Sequence, residues 1–154
     1  MIFTWQLLIR ILASFVCSVA FAVMFRVSER HLPFAGLSGV IVYFVYHVIV
    51  GLSGGVFLAA LLSTAVGAVY AEIYARVRRC PVIVMLSAAI IPTVPGGDLY
   101  KAMRSILLAD MDAALAHLSD TLGIALGIGG GIVIIALAFR VITDKILSKG
   151  KKKQ

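Results

Sequence analysis

The sequence predicts an all-α integral membrane protein, a five-span helical bundle whose fourth helix is broken. Three observations carry that prediction. First, 62% of the 154 residues are hydrophobic and 14% charged, with a mean hydropathy of +1.08. A soluble domain usually holds about 45–50% apolar and about 25% charged residues. Second, the apolar residues gather into five runs, and basic residues cluster after the first, third and fifth. Third, two prolines and two glycines interrupt the fourth run, and neither residue type continues an apolar helix without cost.

The runs cover residues 7–25, 34–50, 54–75, 82–94 (continuing as a broken helix to about 108) and 121–139. The segment 82–94 alone is too short to cross a bilayer, which takes about 17–25 helical residues. Residues 1–144 form one transmembrane domain, and 145–154 form a basic cytoplasmic tail whose lysines at 149–153 meet anionic lipid. The first run lacks a basic leader and is longer than a signal-peptide core, so a retained span is expected. Arg10 lies near the outer end of that span, where its long side chain snorkels to the interface.

Orientation follows from charge. Arg26, Arg30, Arg76, Arg78, Arg79, Arg140, Lys145, Lys149, Lys151, Lys152 and Lys153 fall on one side, and Arg10, Lys101 and Arg104 on the other. The positive-inside rule puts the N-terminus outside and the C-terminus in the cytoplasm. Five spans satisfy this parity; four or six do not. The net charge of +7 therefore reads as topology, and no nucleic-acid partner is expected.

Small residues recur every four positions in the third run: Gly55, Ala59, Ser63, Gly67 and Ala71, beside Ala60, Thr64, Ala68 and Glu72. The fifth run has Gly123, Gly127 and Gly131. Such rows let helices approach closely in lipid, inside the bundle, at a subunit interface, or both.

Pro92 and Pro95 break the fourth helix, and Thr93, Gly96, Gly97, Asp98, Tyr100 and Lys101 furnish the break with polar groups and open backbone. A helix restarting after Gly96-Gly97 offers free N–H groups and a partial positive charge to a carboxylate. Lys101 and Arg104 add charge nearby. The bland alternative is an outer turn with both cations among lipid headgroups. Asp98 has three roles open to it: capping the new helix, taking up a proton, or repelling an anion. Capping ranks first. Glu72 stands four residues before Arg76, which suits an ion pair, with a proton relay as the alternative. His47, Tyr43 and Tyr46 belong to an outer interfacial belt. Asp110, Asp112, His117 and Asp120 lie in a polar outer loop. Cys17 and Cys80 have no ligand-spaced neighbours, so no disulfide, metal site or cofactor is expected, and no enzymatic constellation is present.

Residues 88–103, Ala-Ala-Ile-Ile-Pro-Thr-Val-Pro-Gly-Gly-Asp-Leu-Tyr-Lys-Ala-Met, carry a further signal. With Pro92, Pro95, Gly96, Tyr100, Ala102 and Met103, the run resembles the central motif of the threonine/serine exporter family, in its short-half or small-subunit form. The stretch 21–27, with Gly36 and Gly39 beyond, is similar in placement. The resemblance implies export of small carboxylate metabolites, threonine and serine in some members and succinate in others, across a bacterial inner membrane. It also implies a partner, the larger membrane subunit with five further spans. It assigns no role to Asp98. The rival reading is a non-transporting scaffold or accessory subunit, for which the break is only a kink.

Overall fold

The computed structural model describes residues 5–53 and 55–151, at side-chain level for all of these but 53 and 144–151. In chain order it contains α1 (Trp5–Met24), a 3-10 turn (Glu29–His31), α2 (Leu32–Ser53), α3 (Val56–Arg78), α4 (Val82–Ile90), a second 3-10 turn (Ile91–Thr93), α5 (Gly96–Leu107) and α6 (Met111–Lys151). No strand occurs among the described residues. Helices α1, α2, α3 and α6 are each long and apolar enough to cross a bilayer. Taken together, α4 with its 3-10 turn and α5, bent by 44° at the break, are long and apolar enough to make a fifth. Gly54, residues 1–4 of the expected membrane domain, and residues 152–154 of the basic tail lie outside the described residues.

All four prolines stand where a helix starts or breaks. Pro33 is the second residue of α2, Pro81 and Pro95 precede α4 and α5, and Pro92 sits in the second 3-10 turn. Their missing N–H groups cost least at such places. Helices α1, α3 and α5 end on left-handed residues that are not glycine: Arg26 (φ 55°), Arg79 (φ 52°) and Ala109 (φ 58°). After each, an N–H bonds back across the helix end: Val27 to the Ala22 carbonyl at 3.0 Å, Cys80 to Ala75 at 3.2 Å, and Asp110 to Ser105 at 3.0 Å. These closures satisfy carbonyls that a helix end leaves open.

Helix α3 is the hub, packing against α2, α4 and α6. Both small-residue rows are inside: Ala59, Ala60, Ser63, Thr64, Gly67, Ala68 and Ala71 are buried. Across from them, a Cβ on Gly127 would lie 2.6 Å from the Phe57 carbonyl oxygen, and one on Gly131 2.7 Å from that of Leu61. The two helices touch backbone to backbone, so the glycine row of α6 serves internal packing. Ala22, Ala35, Ala71, Tyr74, Met85 and Ala88 close one end of the bundle. At that end Arg76 lies over the Phe139 ring at 4.6 Å, and Arg78 over Phe34 at 5.7 Å. The arginines after α1 and α3 and the α6 segment around Phe139 thus share one basic end.

One expectation needs correcting. The polar loop expected before residue 121 is helical, because α6 already begins at Met111. The carboxylate of Asp110 accepts the Ala113 N–H at 3.1 Å, and its carbonyl accepts that of Ala114 at 3.1 Å. That is an N-cap. Hydropathy marks the stretch that suits lipid depth, whereas the cap decides where the helix starts. Asp112, His117 and Asp120 therefore ride on α6. At 41 residues α6 is about 60 Å long, roughly twice the hydrocarbon thickness.

Candidate functional site

The break is built from what the prolines remove and what the neighbouring side chains supply. After α4, Ile91-Pro92-Thr93 tightens to 3-10 geometry, and Val94 then turns extended (φ −61°, ψ 130°). Thr93 Oγ1 donates to the Ile90 carbonyl at 2.7 Å, occupying an acceptor at the interruption. Val94 N–H reaches the Ile91 carbonyl at 3.2 Å, and Gly96 N–H that of Val94 at 2.8 Å. Helix α5 restarts at Gly96.

The break lies within the bundle, against α1 and α2. Pro92 Cγ is 3.3 Å from the Cβ position of Gly39, and the Ser18 hydroxyl oxygen lies only 1.8 Å from that position. Gly39 is seven residues into α2 and Ser18 six residues from the end of α1. Both are therefore about 10 Å of helix from the basic end. Ser18 is fully buried, and its hydroxyl finds no hydrogen-bond partner. An orphaned hydroxyl of this kind costs on the order of 1–3 kcal/mol. Beside it, Arg10, Ala13, Ser14, Cys17, Tyr43 and Pro92 line a cavity of about 250 Å³.

The expected site residues divide into two groups. Thr93 and Pro92 face the packed interior; Thr93 is only 6% exposed and its proton is already donated. Gly96, Gly97, Tyr100 and Lys101 are exposed, with Tyr100 68% accessible. A Cβ on Gly96 or Gly97 would meet nothing within 4 Å. The backbone there is open to an incoming group. Asp98 corrects the capping expectation: Pro95 is the N-cap residue and no side chain caps α5. Asp98 is the third residue of α5, and its carboxylate instead accepts the Lys101 ammonium at 2.9 Å. From that position it still complements the positive end of the helix. Glu72 makes the expected ion pair with Arg76, away from the break. Tyr43 and His47 stack with ring centroids 6.4 Å apart, as neighbours in the expected belt would.

Sequence reasoning missed Ser18 and the place of Arg10. A signal existed in Ser14 and Ser18, four apart on one face of a largely apolar helix, and the structure buries both. What the sequence does not show is that Gly39 and Pro92 converge on the same spot.

A multi-pass helical bundle with one helix interrupted by proline and glycine is built as membrane transporters are. The chain belongs to the threonine/serine exporter family: it matches the family described as Threonine/Serine exporter, ThrE, over residues 10–138. That is a family of transporters. No curated protein and no solved structure matches the chain significantly.

Proposed function

We propose that this chain is one half of a secondary transporter that exports small carboxylate metabolites such as threonine, serine or succinate. Its larger five-span partner would complete the pathway in a bacterial inner membrane, with the N-terminus of this half outside and its C-terminus in the cytoplasm. The observation that carries the reading is the break lodged between α1 and α2 in a chain of exporter family. Helix ends inside a bundle can hold substrate carboxylates and coupling ions where continuous helices cannot.

In this reading the substrate carboxylate approaches the open backbone of Gly96 and Gly97. Lys101 turns from Asp98 to the substrate, and Asp98 takes up a proton as the ion pair opens. Tyr100 offers a hydroxyl from the same helix, Thr93 shapes the break, and Arg10 supplies a second charge from α1. Glu72 is the other candidate for ion coupling and would first have to leave Arg76. Exposed Arg104, one turn beyond Lys101, supports a partner, since an unpaired cation at lipid depth costs about 2.5–3.5 kcal/mol on insertion scales.

The rival scaffold reading draws on the same Asp98–Lys101 pair, which leaves Lys101 already neutralised. Efflux separates the two. Vesicles holding radiolabelled threonine, serine or succinate, and carrying this chain with its partner, should empty faster than vesicles carrying either alone. Robust efflux by the single chain would refute the half-transporter reading, and no efflux of any of the three by the pair would favour the scaffold.

A further inference from the structure

At the basic end a second cavity, of about 300 Å³, opens between the α1–α2 connection and the α3–α4 connection. Phe25, Val27, Val84 and Met85 give it an apolar floor, while Arg26, His31 and Arg79 bring cationic or proton-bearing groups to it from both connections. Ser28 and Cys80 add polar atoms, and no carboxylate lines it. Nothing in the transport reading uses this cavity.

Its charge is uncompensated. The ion pairs among the described residues are Glu72–Arg76 and Asp98–Lys101. Arg78 is stacked on Phe34. Arg26 and Arg79 both border the cavity, and neither makes an ion pair among the described residues. Each also occupies the left-handed position closing its helix, where glycine is the usual residue. Holding arginine there strains the backbone and fixes where the side chain departs from the turn. His31 is fixed as well: its Nδ1 shares a hydrogen bond of 2.8 Å with the Tyr74 hydroxyl, leaving Nε2 as the ring nitrogen for a ligand.

We propose that this cavity binds a phosphate group, carried by a membrane lipid or free in solution. Two guanidinium groups and an imidazole arriving from separate connections suit a tetrahedral oxyanion, which accepts donors from several directions. The apolar floor suits the carbon body of an esterified phosphate. The proposal is independent of the transport reading, and a chain that exports nothing would still bind.

Cys80 supplies the readout. In the full chain carrying Cys17→Ala, reconstituted in vesicles of digalactosyl diacylglycerol, which hold no phosphate, the alkylation rate of Cys80 is measured by mass spectrometry. One arm adds phosphatidylglycerol to the vesicles and the other adds inorganic phosphate to the buffer. A lipid-borne ligand slows alkylation in the first arm, and a free one in the second. Arg26→Gln and Arg79→Gln should each weaken that protection roughly tenfold, the equivalent of one hydrogen bond to a charged group. Arg30→Gln with Arg140→Gln, which removes twice the charge of either variant but none from the cavity lining, should leave it intact. Absence of protection in both arms overturns the proposal without any variant, as does equal loss in the Arg30/Arg140 control.

Discussion

The Ser18 hydroxyl oxygen of α1 occupies the space that a side chain on Gly39 of α2 would need, 1.8 Å from that glycine's Cβ position. Pro92 closes the same contact from the break. Gly39→Ala should therefore destabilise the bundle by about 1–3 kcal/mol, the usual cost of overpacking. Ser18→Ala should be neutral or stabilising by about 1 kcal/mol, because it removes a buried hydroxyl without a partner. Ser18→Gly should restore most of the loss caused by Gly39→Ala. Thermal unfolding of the purified chain in one detergent checks all three, and a Gly39→Ala protein as stable as the parent would sink the account.

The α3–α6 contact makes a paired prediction. Gly127→Ala or Gly131→Ala would drive a methyl group into a backbone carbonyl of α3 and should cost about 1–3 kcal/mol. Gly129→Ala, on the same helix with nothing within 4 Å, should be tolerated. The comparison is unfolding temperature at matched expression; equal effects at all three positions would contradict backbone contact.

At the break, Gly97 has open space, so Gly97→Leu should fold normally and block export by filling the approach. Lys101→Met should lower export roughly tenfold to a hundredfold if its ammonium holds the carboxylate in transit. Its effect on stability should be small, because the exposed Asp98 pair is worth about 0.2–1 kcal/mol at most. Arg104→Met, one turn further on, should matter less. Efflux normalised to membrane protein, with the partner present, is the measurement. Parental transport by both Gly97→Leu and Lys101→Met would move the site elsewhere, with Arg10 and the α1 cavity next in line.

Topology is open to a direct check. An alkaline phosphatase reporter fused after Lys153 should be inactive if the positive-inside rule sets the orientation, since eleven of the 14 Lys and Arg residues follow the first, third and fifth apolar runs. Strong activity there would invert the bundle.

The spans and the break were legible because lipid imposes simple rules on them. Apolar length marks a crossing, and Pro92, Pro95, Gly96 and Gly97 mark the one place where a helix has to stop. The Glu72–Arg76 pair was legible because its partners are four residues apart on one helix. Asp98 suggests a cap because acidic residues favour helix starts, but Pro95 holds that position. The early start of α6 was hidden because Asp110 caps a polar helix that hydropathy discounts. Ser18 beside Gly39, and Arg26 beside Arg79, were not legible at all. Those meetings depend on which helix faces which, and neither spacing nor composition records that.

Helix α6 runs unbroken from Met111 to Lys151, and α3 grips it at Gly127 and Gly131. The seam continues from Gly123, beside Phe57, to Phe139, beneath Arg76, a length of about 24 Å. A helix clamped over that length resists tilting, so α6 acts as a strut that fixes how far the segment packed on α5 stands from the basic end.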